Sequence, residues 1–456
     1  MKKLFRDKEF FLTILTLVIP ITLQNLISSS LNMVDNLMIG KLGENAIAAV
    51  GLVNQYFFIF MLCLSGINAG AGIFMSQFWG RKDTLNIRRM LGLDLILSII
   101  ASIIFSFTAF IFPEGIMKIF TKDTTVIGLG SQYLKIIGIT FIFTGITQGY
   151  STALRCTGIA KPPMFASLIG VLVNGFLNWI LIFGHFGFKP MGVVGAAIAT
   201  SIARFIEMLF VLVYSYGFND IISAKLKEMI SFSNDFVKVY FKTSLSVIIN
   251  EIVWALGMTA YSVIYAKIGI SAVASMQIAT TINNMFMVLC IGLATAASII
   301  IGNKIGADEE DVAIEYATKL GVLAPLVGLV TGIALWITSP IIVKAFNISE
   351  ETLNITVTVL KIMAVFAPLR FFNVLMIVGV FRGGGDTMYS MLVQLGTVWC
   401  FAIPAGFIAA AYFKLPLNKV YFIICLEEVI KIGFEAKRLR SKKWIRNVVE
   451  DEYIIA

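Results

Sequence analysis

Long apolar runs separated by short polar turns dominate the pattern of this chain. Twelve of the runs approach or exceed the roughly 20 apolar residues that a helix needs to cross a bilayer. None shows the alternation over about ten residues that a transmembrane β-barrel requires. The pattern therefore predicts an all-α integral membrane protein with twelve transmembrane helices. The predicted helices lie at residues 11–34, 46–74, 90–112, 130–150, 163–183, 192–215, 237–265, 273–300, 317–338, 354–380, 388–411 and 416–434.

Composition supports lipid as the main solvent. Of the 456 residues, 58% are hydrophobic and 14% are charged, whereas about 25% of the residues in soluble domains are charged. The single histidine, His185, lies in a GHFGF turn, and the five cysteines contain no CxxC pair. No disulfide framework, zinc site or resident cofactor is therefore predicted. Motifs of zinc proteases, serine hydrolases and phosphate-binding loops are absent, so the chain is not expected to be an enzyme.

The distribution of lysine and arginine predicts the orientation. With the N-terminus inside, about 23 of the 36 basic residues fall in cytoplasmic segments and about eight fall outside. The segment MKKLFRDKEF precedes an apolar run too long for a signal peptide, so we expect a retained first helix. We therefore expect a multi-pass protein of the plasma membrane with both termini in the cytoplasm. The net charge of +9 reflects this topology, and no basic domain suggests a nucleic-acid partner.

The two halves of the chain repeat each other. GKLGENAIAAV matches AKIGISAVASM, WGRKD matches KIGADEED, and ALRCTGIAK matches VFRGGGDTM. The offset is 226 or 227 residues in each case, as for Gly43 with Gly269 and Arg155 with Arg382. This repeat predicts two pseudo-symmetric six-helix lobes. The predicted domains are an N-terminal lobe at 1–215, a cytoplasmic linker at 216–236, a C-terminal lobe at 237–436 and a basic cytoplasmic tail at 437–456.

An even number of helices in each half places both halves in the same orientation. Such parallel repeats enclose a cavity near the middle of the bilayer in many secondary transporters. Composition alone is equally compatible with a channel or a receptor, whereas the duplicated halves favour alternating access by a transporter.

Ionisable side chains within the bilayer are costly and mark functional sites by default. Asp35 in the first helix and Glu251 in the seventh have no cationic neighbour within their own helices. An isolated carboxylate in lipid favours the protonated form or binds a cation. Both residues are therefore predicted cation-coupling residues, the alternative being structural hydrogen bonding to a neighbouring helix.

The other intramembrane charges have simpler interpretations. Arg204 and Glu207 are three residues apart in one helix, so we expect them to neutralise each other. Asp94 is expected at the membrane interface. The remaining charges are expected near water at the end of the last helix, and they are Glu427, Glu428 and Lys431.

Three further residues complete the predicted coupling machinery. Asn174 and Asn178 lie one turn apart in the fifth helix, and their amide oxygens can bind Na⁺ or a carboxyl group. The alternative is interhelical hydrogen bonding. Pro20 is expected to kink the first helix and to act as a hinge. A separate stripe of small residues, at Gly195, Ala199 and Ala203, is expected to serve close helix packing.

Flexible and aromatic side chains near Asp35 and Glu251 can line a cavity for flat cations. Filling of gaps in the helix packing is the alternative for each of them. The candidates for the substrate cavity are Met33, Tyr56, Trp254, Tyr261, Met285, Met287 and Arg370.

These features together resemble the MATE family, the multidrug and toxic compound extrusion transporters of the MOP superfamily. The resemblance rests on PITLQNLISSSLNMVDNLMIGKLG with Pro20 and Asp35, on AIAAVGL, and on the repeated turns ALRCTGIAKPP and VFRGGGDT. It covers residues from about 10 to 430. The family implies two six-helix lobes in a V shape. It also implies an antiporter that exports cationic, amphiphilic drugs while Na⁺ or H⁺ runs inward. We expect the chain to act as a monomer.

The resemblance also assigns residues to sites. Asp35 and Asn174 match a cation site of one branch of the family, with Asn178 where that branch has a second aspartate. Glu251 matches the seventh-helix glutamate that is implicated in Na⁺ binding in the other branch. The tenth-helix aspartate of that branch is missing from APLRFFNVLM. Na⁺ is therefore expected either at Asp35, Asn174 and Asn178 or at Glu251.

A flippase for lipid-linked saccharides, from the same superfamily, is the alternative function. It would be expected to have a strongly cationic cavity for a pyrophosphate group. Arg204 and Arg370 are expected to be the well-buried arginines, and Glu207 is positioned to neutralise Arg204. This arrangement favours the drug antiporter.

Overall fold

The fold consists of helices packed side by side. The computed structural model describes residues 8–346 and 348–450, and the only strand-like feature in these ranges is one bridge between Gly385 and Ile445. The first half contains long helices and two short helices, α4 and α9. They are α1 (Lys8–Gly40), α2 (Glu44–Gly80), α3 (Thr84–Ile111), α4 (Pro113–Phe120), α5 (Thr124–Ile137), α6 (Thr140–Cys156), α7 (Lys161–Phe183), α8 (Gly192–Gly217) and α9 (Leu226–Met229).

The second half repeats this order with fewer breaks. Its helices are α10 (Asn234–Ile268), α11 (Ile270–Gly306), α12 (Glu310–Val343), α13 (Glu350–Val374), α14 (Thr387–Thr397), α15 (Ile403–Phe407) and α16 (Leu417–Ser441). A π-helical turn at Leu375–Phe381 extends α13. A second, at Val398–Ala402, joins α14 to α15, and a third, at Ile408–Tyr412, extends α15, so that the three form one continuous segment.

Membrane-spanning length is reached by most of these helices. Ten helical segments of the described chain are long and apolar enough to cross a bilayer, and the bent pair α5–α6, with an angle of 48°, makes an eleventh. The twelfth predicted run corresponds to α16, whose charged residues lower its hydropathy. Each predicted run thus coincides with helical chain to within one residue at its ends, and the run 130–150 contains the break between α5 and α6. The all-α membrane fold is confirmed.

The backbone repeats as closely as the sequence does. The helices that start at residues 44, 84, 124 and 161 have counterparts that start at 270, 310, 350 and 387, each 226 positions later. The turns share left-handed residues, with φ of 59° at both Lys82 and Asp308. Gly158 and Gly385 have φ of 84° and 82°, a region that favours glycine. The break of the fourth crossing between α5 and α6 is replaced in the second half by one helix with a π-helical turn.

The helices form two compact units. The first unit contains residues 23–241, and the second contains residues 8–22 with 242–450. The helix α1 belongs to both units: its residues up to Thr22 lie in the second unit, and its residues from Leu23 lie in the first. Pro20 lies inside this helix, close to the boundary. Aromatic rings, among them Tyr56, Phe60, Phe105 and Phe141, pack together as part of the core of the first unit.

Small residues bring α7 and α8 into close contact. A Cβ atom on Gly195 would lie 2.6 Å from the backbone oxygen of Leu181. Ala199 and Ala203 continue this buried face of α8. The predicted packing role of this stripe is confirmed.

We expect Gly195→Ala to destabilise the protein by about 1–3 kcal/mol, because the added methyl group would overlap the backbone of α7. A lower melting temperature of the purified protein in detergent would show this. Gly175→Ala is the matched control, since a Cβ there meets no atom within 4 Å. Equal melting temperatures for the two variants would contradict close α7–α8 packing.

Candidate functional site

Asp35 sits at the centre of a polar network in the first unit. Nδ2 of Asn178 donates a hydrogen bond to Oδ1 of Asp35 at 2.5 Å and another to Oδ1 of Asn174 at 3.0 Å. Nδ2 of Asn174 donates to Oγ1 of Thr200 at 3.1 Å. Asn174 and Asn178 are fully buried, one turn apart on α7. The structure therefore brings three of the predicted coupling residues together and adds Thr200 from α8.

One side-chain oxygen atom of this network has no hydrogen-bond donor in the described part of the chain. Both amide hydrogens of Asn178 are donated, while its Oδ1 is buried without a hydrogen-bond partner among the described residues. Tyr133, which is 2% exposed, lies next to Thr200 and Asp35. A carboxylate, an amide oxygen and two hydroxyl groups thus converge, which are the oxygen ligands that hard cations prefer.

The neighbouring Arg204 is already neutralised. Its Nη1 lies 2.8 Å from Oε2 of Glu207, as the spacing within α8 predicts. Oγ of Ser167 donates to Oε1 of Glu207 at 2.8 Å, and Gln24 donates to Ser167 at 3.3 Å. Mutual neutralisation of Arg204 and Glu207 is confirmed. Asp35 itself forms no ion pair within the parts of the chain that the structure describes.

A small cavity connects the two groups. It has space for about one water molecule. Its lining includes Asn174 and Thr200 of the Asp35 network as well as Arg204 and Glu207. The remaining lining residues are Ser28, Ser167, Gly170, Val171 and Ala203. The cavity therefore places a site for a water or a small cation beside the Asp35 network.

No group of three or more histidine, cysteine, aspartate or glutamate side chains that could hold a metal ion occurs in the described residues. A cation at Asp35 would have one carboxylate and otherwise neutral oxygens as ligands. That set suits a monovalent cation or a proton.

Glu251, in the second unit, has a counter-charge. Nη1 of Arg382 lies 2.9 Å from Oε1 of Glu251, and the two side chains are 8% and 17% exposed. The expectation that Glu251 has no cationic partner is wrong. The partner lies 131 positions away in sequence, so inspection of the seventh helix alone could not reveal it.

The turn that carries Arg382 is held by the C-terminal segment. Trp444 is fully buried, and a Cβ on Gly384 would lie 2.6 Å from its ring. The buried carboxylate of Asp386 is 2.7 Å from Nε of Arg438 and 3.0 Å from Nη2 of Arg446. The segment after α16 is therefore packed against this turn up to residue 450.

The residues predicted to line a substrate cavity lie in different surroundings. Tyr56 donates to the backbone oxygen of Phe105 at 2.9 Å, within the aromatic core of the first unit. In the second unit, Met285 is exposed, whereas Trp254 and Met287 are partly buried. The side chain of Met33 lies outside the described residues. A common cavity for these residues remains a prediction.

The side chain of Asp94 is enclosed by packed helices of the first unit, whereas a side chain that reaches the membrane interface would be exposed. Its side chain is 0% exposed, and neither carboxyl oxygen has a hydrogen-bond partner among the described residues. The reason is close packing of α3 on α6, where Gly149 has no side chain to hold the helices apart. A Cβ there would lie 3.0 Å from Oδ2 of Asp94.

The charges of α16 are also buried rather than near water. Glu427, Glu428 and Lys431 are 8%, 5% and 7% exposed. Packing of α13 against α16 covers them, and α13 supplies the partner Arg370, whose Nε lies 3.1 Å from Oε1 of Glu428. Tyr261 donates to Glu427 at 3.4 Å. Arg370 and Tyr261, predicted as cavity residues, thus contact this charged cluster.

Sequence reasoning missed several members of the Asp35 network. Thr200 precedes Arg204 by one helical turn, so the spacing alone predicts that the two residues share one face of α8. Tyr133 and Ser167 offered no such signal, because their partners lie on other helices.

Comparison with known protein families gives two matches, one in each half. The family model described as MatE matches residues 20–180 and 246–408. Among curated proteins, the chain is 24% identical to "Probable multidrug resistance protein YoeA" of Bacillus subtilis, over 89% of this chain and 88% of that protein. It is 22% identical to "Probable multidrug resistance protein NorM" of Thermotoga maritima, over 96% and 93% of the two chains.

Solved structures share the fold. One is described as the outward-facing conformation of a multidrug resistance MATE family transporter of the MOP superfamily. It has a TM-score of 0.86 at 21% identity and covers 94% of this chain and 96% of that chain. Another, the Vibrio cholerae MATE transporter VcmN in the bent form, has a TM-score of 0.86 at 16% identity, with 96% and 99% covered.

We expect Glu251→Gln to lower stability by about 3–5 kcal/mol, because it leaves the buried guanidinium of Arg382 without its counter-charge. The double variant Glu251→Gln with Arg382→Gln should recover most of the loss. Melting temperatures of the two single variants and the double variant measure the coupling. Additive losses would show that the pair contributes nothing to the fold.

Proposed function

Because this chain belongs to the MatE family of membrane transporters, we propose that it is an antiporter that exports hydrophobic, cationic compounds. The energy comes from Na⁺ or H⁺ moving inward, and the two halves alternate access to the substrate. Relatives over nearly the whole chain carry the name multidrug resistance protein, which supports this substrate class. The protein is a transporter and not an enzyme, and it spans the plasma membrane many times.

The environment of Asp35 supports the proposed coupling. Its carboxylate accepts an amide hydrogen bond and has no ion-pair partner within the described chain, while Arg204 is bound to Glu207. A lone charge in this environment is costly, so a proton or Na⁺ that neutralises it binds favourably. A cationic substrate competes for the same charge, and this competition couples the two fluxes.

The oxygen atoms around Asp35 favour a small cation. Oδ1 of Asn178 is buried without a partner, and the cavity beside Asn174 and Thr200 accepts one water-sized particle. Na⁺ would take Asp35, Asn174 and Asn178 as ligands, with Thr200 nearby. A proton would instead convert Asp35 to a neutral hydrogen-bonding group. We propose that this network, and not Glu251, is the main coupling site, because Arg382 already neutralises Glu251.

Orientation follows from the basic residues. We propose that both termini face the cytoplasm, because about three quarters of the assignable lysines and arginines fall on that side. Pro20 then lies toward the cytoplasmic side of Asp35 in α1, where it serves as a hinge when the site changes access. The chain is proposed to act as a monomer.

The flippase alternative is disfavoured by the same ion pairs. A pyrophosphate group needs free guanidinium or ammonium groups. Arg204 pairs with Glu207 at 2.8 Å, and Arg370 pairs with Glu428 at 3.1 Å. Neither arginine is available to an anionic lipid headgroup in this conformation.

We expect Asp35→Asn to abolish ethidium efflux driven by an ion gradient, because the amide can neither bind a proton nor attract a cation. Proteoliposomes are loaded and tested under a Na⁺ gradient and a proton gradient separately, so the gradient that drives wild-type efflux identifies the coupling ion. Efflux by Asp35→Asn should fall to the level of protein-free liposomes under both gradients.

Asp123→Asn is the matched control, since Asp123 is an exposed helix cap whose asparagine replacement still caps α5. It should retain wild-type efflux. Gradient-driven efflux by Asp35→Asn at the wild-type rate would refute the assignment of coupling to Asp35.

A further inference from the structure

A buried cluster of charges links α13 and α16 in the second unit. Lys431 lies 3.2 Å from Glu427 and 3.8 Å from Glu428. Arg370 lies 3.1 Å from Glu428, and Nδ2 of Asn373 donates to the Glu428 carboxylate at 2.7 Å. All five side chains are at least largely buried. Two cations therefore neutralise two carboxylates.

A third carboxyl group, that of Glu435, extends this cluster. It follows Lys431 by one turn on the same face of α16, and Lys431 and Glu428 lie within electrostatic reach of it. Its side chain is 0% exposed, and neither of its carboxyl oxygens has a hydrogen-bond partner among the described residues. The cluster thus contains three acids and two bases, and Glu435 is the acid without a counter-charge.

Charged groups on the described helices that pack against α16 form no ion pair with Glu435. On α14, Tyr389 is the titratable group near Glu435, and its hydroxyl donates to the backbone oxygen of Phe434. Arg438, one turn beyond Glu435, pairs with Asp386 at 2.7 Å and covers the ring of Tyr389. On α13, Arg370 is committed to Glu428. The segment from 398 to 412, which also packs on α16, carries no charged residue.

We propose that the second unit contains a proton-binding site at Glu435. A proton joins one carboxylate oxygen of Glu435, and the formal charge of the cluster changes from one negative charge to zero. A buried, unpaired carboxylate would otherwise carry the full cost of desolvation. A proton fits better than a metal cation, because no described group of acidic side chains is arranged to hold a metal ion and Glu435 has no neighbouring oxygen ligands in hydrogen-bonding contact.

This site is separate from the Asp35 network, which belongs to the first unit. Binding of the proton requires only the geometry of α13, α14 and α16. Use of that proton in transport rests on the proposed function, in which a cation gradient drives export. A conformational change that moved Arg438 or Lys431 toward Glu435 would release the proton, because a new counter-charge favours the carboxylate.

Infrared difference spectroscopy of the purified full-length protein tests the site directly. A protonated carboxyl group has a carbonyl stretch that a carboxylate lacks. The difference between wild type and Glu435→Gln at neutral pH should contain such a band, and the difference between wild type and Glu310→Gln, an exposed control in α12, should not. Absence of the band from the Glu435→Gln difference would overturn the proposal.

Glu427→Gln provides a second test that does not alter Glu435. With Glu427 neutral, two acids face two bases, so Lys431 is free to pair with Glu435. We expect this variant to lose the same carboxyl band. An unchanged band in Glu427→Gln would contradict the proposed charge balance. Both measurements concern protonation alone, so they stand whether or not Asp35→Asn abolishes efflux.

Discussion

The structure depends on one constraint, which is that a charge within the bilayer must be neutralised. Moving an ionised group out of water costs several kcal/mol even after relaxation. Arg204 with Glu207, Arg382 with Glu251, and Arg370 with Glu428 satisfy this constraint by direct pairing. Asp35, Asp94 and Glu435 form no ion pair within the described residues. The functional proposals concern Asp35, because amide and hydroxyl groups around it can hold a cation, and Glu435, because it is the third acid in a cluster with two bases.

The two halves share the same backbone arrangement, but their ionisable side chains lie at different positions. Helix starts and left-handed turn residues recur at an offset of 226 or 227. Glu251 nevertheless has Asn25 as its counterpart, and Asp35 has Tyr261. The first unit therefore surrounds its carboxylate with amides and hydroxyls, while the second binds its carboxylate to Arg382. The same backbone arrangement thus holds a carboxylate without an ion pair in one half and a carboxylate paired with arginine in the other.

The sequence was sufficient for features that depend on local spacing. Apolar runs located all twelve helical segments, and the interval of three residues predicted the pair Arg204–Glu207. The pairing of Asn174 and Asn178 with Asp35 was anticipated from one helical face and from the family resemblance.

Contacts between distant segments were not predictable in this way. Arg382, which pairs with Glu251 of α10, lies between α13 and α14. Arg370 of α13 pairs with Glu428 of α16. Burial of Asp94 depends on the missing side chain of Gly149, which lies on the neighbouring helix α6.

Equilibrium binding of ethidium to the purified protein, measured by fluorescence over a range of pH and Na⁺ concentration, tests the central claim most directly. If a small cation and the substrate compete for the charge of Asp35, protons or Na⁺ will weaken ethidium binding to the wild type, and Asp35→Asn will show no such dependence. An identical dependence in both proteins would contradict the claim that Asp35 is the group at which the cation binds.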